Sequence, residues 1–172
     1  MFFFPIQDFN FGVYGDPETY HNQLLLDAQT LGGAIEYMGR IYRLVQLQGA
    51  TAAAAGGVVY WKTRSQGIVS TAHGDSDSVV NGVAGVFPST ASSGAAGFIL
   101  NDYCFIQIGG VAPAAKVSAS TAAGDKMIGS ATDLTFGRIA AGTAATDNVF
   151  GTAIGAIAGG VAPVALAFGN LL

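Results

Sequence analysis

The densest run of side chains able to do chemistry is His73-Gly74-Asp75-Ser76-Asp77-Ser78. As a metal site, His73, Asp75 and Asp77 would supply ligands, but a stable site needs three or four converging donors and further groups to orient them. As a hydrolytic site, Ser76 would attack, and it would need a base and an oxyanion hole. A polar loop between two strands, with Asp and Ser bonding to their own backbone, accounts for the run more simply. Gly74-Asp75-Ser76 also matches part of one hydrolase motif, without the strand-to-helix elbow that gives that motif its meaning.

The remaining candidates are weaker. His21 lies beside Tyr20 and Asn22 in a segment that reads as helix, where a solvated or partner-facing imidazole is the natural reading. The eleven carboxylates are scattered, so spacing nominates no acid–base pair. No GxxxxGKS/T, GxGxxG, HExxH or CxxC occurs. Trp61, in Val59-Tyr60-Trp61-Lys62, has the chemistry to stack a base or a sugar, but strand aromatics more commonly pack a core edge. Cys104 is the single cysteine, which excludes an internal disulfide and a multi-cysteine metal site; its apolar setting reads as a buried, inert thiol. The chain is therefore expected to be no enzyme, with no catalytic residue, no metal and no cofactor.

The elements around these residues read as β. After Gly39, candidate strands are Ile41 to Leu47, Val58 to Thr63, Gly67 to Thr71, Val79 to Phe87, Phe98 to Ile108, Ala115 to Ser118, Lys126 to Ser130, Leu134 to Ala140, Val149 to Ala158 and Val161 to Phe168. Turn signals fall between or within them, among them Gly56-Gly57, Asn81-Gly82, Asn101-Asp102, Gly109-Gly110, Gly124-Asp125 and Gly159-Gly160. Gly and Ala make up 54 of the 172 residues, which suits tight turns and thin, closely packed sheets. The pattern predicts an all-β fold, a small β-barrel or sandwich of short antiparallel strands. Gly109-Gly110-Val111-Ala112-Pro113 returns fifty residues later as Gly159-Gly160-Val161-Ala162-Pro163, an echo that fits recurring hairpins.

Before Gly39 the texture differs. Asp16-Pro17-Glu18-Thr19 reads as a helix start, and the helix would run to about Leu31 and stop at Gly32-Gly33. The first 14 residues hold five of the eleven Phe, and from Met1 to Gly39 there are five acids (Asp8, Asp16, Glu18, Asp27, Glu36) and no Lys or Arg. The division predicted is an acidic, Phe-rich arm with a short helix over 1–39 and a β domain over 40–172. Such an arm cannot build its own core and is expected to lie on something, either its own body or a neighbour.

Charge narrows the partners. Only 10% of residues are charged, and net charge is −4. From Arg40 onward there are seven bases and six acids, with no basic patch for a phosphate backbone, so no nucleic-acid partner is expected. The N-terminus has no basic n-region and Asp8 interrupts its apolar run, so it does not read as a signal peptide. Asn148 to Leu172 is uncharged and carries Gly151, Gly155 and Gly159 at membrane-helix spacing. Gly159-Gly160, Pro163 and Gly169 interrupt it, and two short strands joined by a Gly-Gly turn explain it better, so no membrane partner is expected.

Several stretches together resemble the capsid decoration, or head cement, proteins of tailed bacteriophages. Gly39-Arg40-Ile41-Tyr42-Arg43-Leu44-Val45 looks like that family's opening strand, and Ala54-Ala55-Gly56-Gly57-Val58-Val59-Tyr60 like its next turn and strand. Val83-Ala84-Gly85-Val86 resembles its VAGVA segment, and Asn101-Asp102-Tyr103-Cys104-Phe105-Ile106-Gln107 its GDYGWIQ segment, with Cys104-Phe105 in place of Gly-Trp. Ala122-Ala123-Gly124-Asp125-Lys126-Met127-Ile128 resembles its AAGDxLV turn, and Gly151-Thr152-Ala153-Ile154-Gly155-Ala156-Ile157 its VIGVAL strand. The likeness runs in order from about Gly39 to the end; the leader and the Pro88 to Gly97 stretch depart from the common core.

The resemblance implies a virion structural protein on the outer surface of the capsid, whose partner is the major capsid protein and which is a homo-oligomer, a trimer or a body seated at three-fold points. In that reading Phe2, Phe3, Phe4, Phe9, Phe11 and Tyr14 are the anchors to the capsid. Two other classes compete: a self-assembling shell or tail component, and a membrane-associated protein using the uncharged C-terminal segment.

Overall fold

The computed structural model describes residues 33–37, 39–48, 54–75, 82–88, 103–145 and 148–168. The expected helix lies outside these residues, as do residues 1–32 of the arm that carries it. Within them the chain is β: β1 (Ala34–Tyr37), β2 (Arg40–Leu47), β3 (Val58–Thr63), β4 (Ile68–Ser70), β5 (Val83–Val86), β6 (Tyr103–Lys116), β7 (Lys126–Ile128), β8 (Gly137–Ile139), β9 (Gly151–Ala153) and β10 (Val161–Ala167). Two single-turn 3-10 segments, Arg64–Gln66 and His73–Asp75, are the helical elements described.

The strands hydrogen-bond in the order β1-β2-β4-β3-β5-β6-β10-β9-β7-β8, and β2 also pairs with β6. That extra pairing closes β2, β4, β3, β5 and β6 into a five-stranded barrel. Closure removes the open edges that a flat sheet of these strands would present. The pairs are antiparallel except β2 with β4, which run parallel through Gln46 and Leu47 against Ile68 and Val69. β1 lies on the N-terminal side of Gly39 and pairs with β2 from Ala34↔Arg43 to Tyr37↔Arg40. Gly39, at φ 72°, makes the turn between them.

β6 joins the two parts of the molecule. Its first half pairs with β2, from Gln46↔Tyr103 to Ile41↔Gly109, and its second half pairs with β10, from Ala167↔Gly109 to Val161↔Lys116. Gly109-Gly110 is therefore strand interior, where the sequence predicts a turn. The reason is close approach: a Cβ on Gly110 would stand 2.5 Å from the Gly39 carbonyl, and one on Gly109 would meet Ile41 at 3.0 Å. These glycines let the β1–β2 turn lie against β6. Gly159-Gly160 is the turn expected; both residues have positive φ, and Ala158 bridges Val161 across them.

The two echoed segments thus lie side by side, antiparallel, as β6 and β10. Their prolines fall at a register shift, where Pro113 and Ala114 oppose Pro163 alone. A bulge is where a missing N–H costs no ladder bond.

The core follows from period-two alternation. Val45 and Leu47 of β2, Val59 and Trp61 of β3, Val69 of β4, Val83 and Val86 of β5, and Cys104, Ile106 and Ile108 of β6 are buried together. Ala112, Met127, Phe136, Phe150, Val164, Leu166 and Phe168 extend the same core under the β6–β10–β9–β7 sheet. Phe150 and Phe168 pack at 5.3 Å between ring centroids. Leu134 is the single non-glycine with positive φ (59°) among the described residues; its carbonyl accepts the Val58 N–H.

Candidate functional site

The six expected anchors, Phe2, Phe3, Phe4, Phe9, Phe11 and Tyr14, lie outside the described residues, as do Ser76, Asp77 and Ser78. What is described of the His73 loop is a 3-10 turn fastened to the body. The His73 N–H donates to Asp133 Oδ1 at 2.8 Å, and the His73 ring meets the Tyr60 ring edge-on at 5.8 Å. The Tyr60 hydroxyl in turn donates toward the carbonyls of Ser130 (3.1 Å) and Thr135 (3.3 Å). Burial pushes the Tyr60 phenol up to about 12. These contacts tie three loops together. Among the described residues no three His, Cys, Asp or Glu side chains converge as metal ligands would. Cys104 is buried, and Trp61 packs in the core.

A second polar cluster organises the far end of the molecule. Asp125 is buried, and its carboxylate accepts the backbone N–H groups of Ala122 (2.9 Å) and Ala141 (3.0 Å) and the Arg138 guanidinium (3.0 Å). The Ala122 N–H, then that of Ala141 and the Arg138 charge, hold its carboxyl below the usual aspartate range, against the opposing effect of burial. The Gly124-Asp125 signal in the sequence marks this turn; the carboxylate's work is to pin the 122–125 and 141 loops together.

The feature best suited to recognition is an outward sheet face. Positions 105, 107, 109, 111 and 113 of β6 alternate with the core positions and look away from the core. Along that face Ile41 lies over Gly109, and Val111 follows two residues on. Val111 is paired with Ala165 of β10. Ile154, just after β9, donates its N–H to the Pro163 carbonyl. Ile41, Val111 and Ile154 are the large hydrophobics that stay exposed, at 41%, 42% and 52%. Further along the same face Tyr42 and Phe105 are buried but stand outside the core cluster. No charged side chain occupies the paired positions Ile41, Gly109, Val111, Ala165 and Ala167. Sequence alternation predicts strands here, but not which turn of the barrel would leave these residues in water.

Arg43 is a residue that sequence reading did not single out. It occupies an inward position of β2, in phase with Val45 and Leu47, and is 6% exposed. The pattern Ile41-Tyr42-Arg43-Leu44-Val45 contains the signal, a charge at an apolar phase of the strand.

No protein-family model matches the chain, and no curated protein matches it. No helix among the described residues is long and apolar enough to cross a membrane. The uncharged C-terminal stretch that raised a membrane span instead contains β9, the Gly159-Gly160 turn and β10.

Proposed function

We propose that this chain is a non-catalytic structural protein of a tailed-phage virion, which binds the outer surface of the capsid and cements neighbouring major capsid subunits. The observation that carries the proposal is the strip of Ile41, Gly109, Val111, Ala165 and Ala167 on β2, β6 and β10, which holds no charge and keeps Ile41 and Val111 in water on a barrel whose core is apolar. Apolar area of this kind gains free energy when a partner covers it. At about 25 cal/mol per Å², burying roughly 800 Å² on assembly would outweigh the usual cost of association. The ordered set of family-like segments gives the partner. In this proposal the Phe-rich arm, through Phe2, Phe3, Phe4, Phe9, Phe11 and Tyr14, supplies the second contact, and copies associate as trimers or at three-fold points.

The experiment is co-sedimentation of the purified protein with bare, expanded phage heads. Saturable binding at a fixed small number of copies per hexamer or three-fold is expected. A folded, soluble protein that never sediments with heads would overturn the proposal and leave the self-assembling shell or tail component in its place.

A further inference from the structure

Arg43 and Trp61 pack against each other in the barrel, and both side chains can only donate hydrogen bonds. Both are more than nine-tenths buried, at 6% and 4% exposure. Trp61 stands in a row with Val69 and Leu47 across β3, β4 and β2, and Arg43 reaches it from four residues earlier in β2, on the same face as Leu47. The guanidinium carbon lies 5.8 Å from the indole centroid. That stacking steadies the charge but takes none of its hydrogens. Arg43 Nε and Trp61 Nε1 are both buried with no hydrogen-bond partner among the described residues. Neither side chain can accept a bond for the other, because guanidinium and indole N–H are donors only.

Buried donors of this kind are nearly always satisfied in native proteins, so two on a stacked pair of side chains indicate a missing acceptor. A water molecule would satisfy the hydrogens and leave the cation unneutralised in a dry setting. A carboxylate does both, since it carries the opposite charge and two accepting oxygens. Arg64 adds like charge to the same neighbourhood, which favours an anion further.

We propose that Arg43 and Trp61 together bind a carboxylate. Two sources share this chemistry, a small free carboxylate ion and a side chain of the chain's own acidic leader. The leader carries Asp8, Asp16, Glu18 and Asp27 and no Lys or Arg. It joins the body beside this pair: the Gly33 carbonyl accepts the N–H of Leu44, the residue after Arg43, at 3.2 Å. The proposal stands apart from the capsid reading and does not depend on it.

Trp61 is the single tryptophan, so its indole N–H gives one unambiguous cross-peak in a nitrogen–proton correlation spectrum of the full-length chain. Sodium acetate is titrated against sodium chloride at equal ionic strength. If the ligand is a free ion, acetate and not chloride moves the indole proton downfield to saturation, and Arg43→Met abolishes the movement. If the ligand is the leader, acetate leaves the natural chain unchanged. The full-length variant Asp8→Asn, Asp16→Asn, Glu18→Gln, Asp27→Asn then shifts the peak upfield and gains the acetate response. An indole peak that neither acetate nor the four substitutions moves overturns the proposal, and the natural chain and the leader variant suffice to show it even if Arg43→Met fails to fold.

Discussion

The Arg43 guanidinium is stacked against the Trp61 ring, 5.8 Å from its centroid, inside a barrel otherwise filled by aliphatic and aromatic side chains. Burial and the like charge of Arg64 loosen the guanidinium's hold on its proton. A cation in such a place is retained at a cost to the fold, since desolvation is unfavourable and its Nε lacks a partner.

Replacing Arg43 by Met keeps most of the volume and removes the unpaired charge. In acetate-free buffer and on the background of the four leader substitutions, no carboxylate answers the guanidinium. There Arg43→Met is expected to be neutral or to stabilise the fold by about 1–2 kcal/mol, whereas Arg43→Ala, which leaves a void, should destabilise it by about 2 kcal/mol or more. Denaturant unfolding compares the two, and a Met variant as unstable as the Ala variant would refute the account.

Tyr60→Phe removes a hydroxyl that bonds to two loop carbonyls and should cost about 1 kcal/mol. The same phenol reports on alkaline stability. Its folded value, about 12, lies above the ordinary 10.0, so its contribution is complete below pH 10 and fades as pH rises toward 12. Ultraviolet titration should show one tyrosine ionising late, and Tyr60→Phe should delete that phase alone.

Asp125 works in the opposite direction. Its folded value lies below the ordinary 3.8, so its contribution is present above that pH and is lost as pH falls through the folded value. Asp125→Asn should lower stability at neutral pH and flatten the loss of stability in acid. An unchanged acid limb in thermal melts between pH 2 and 6 would show that other carboxylates govern it.

Two glycines with positive φ should respond differently to substitution. Gly110→Ala forces a Cβ toward the Gly39 carbonyl at 2.5 Å and should destabilise by more than about 2 kcal/mol. Gly159→Asn, where nothing lies within 4 Å of the new Cβ and asparagine tolerates the conformation, should be nearly silent. Comparison of unfolding midpoints settles the order.

The outward face gives a test of the proposed role. Ile41→Asp combined with Val111→Asp should leave the melting temperature nearly unchanged, because both residues are already in water, yet weaken association with phage heads at least tenfold. Equal binding by the double variant would remove this face from the contact.

Much of the strand content was legible because apolar residues alternate where strands are half buried: the Val58–Thr63 strand falls where the pattern predicts, and β2 and β10 differ from expectation by a residue. Gly109-Gly110 was misleading because one dipeptide serves two purposes. In one copy glycine permits a turn; in the other it permits another backbone to come close, and only the partner, Gly39, tells them apart. β1 escaped notice because Ala34-Ile35-Glu36-Tyr37 is four residues long and follows a helix-like stretch. The parallel pairing of β2 with β4, and the closure of β2 onto β6, depend on contacts between residues about twenty to seventy apart that no local pattern encodes. Of the candidate site, sequence named the arm; it did not reveal Arg43 or the exposure of Ile41 and Val111, since both follow from which way a closed barrel turns each strand.

The described sheet ends in strands too small to recruit another chain. One margin is β8, three residues long, and the other is β1, four residues long. A strand that adds to an edge needs a run of free amide and carbonyl groups to copy, and neither margin offers more than a few. Growth by sideways stacking into ribbons or fibrils is therefore poorly templated, and copies that crowd together at high local density would meet through their broad faces.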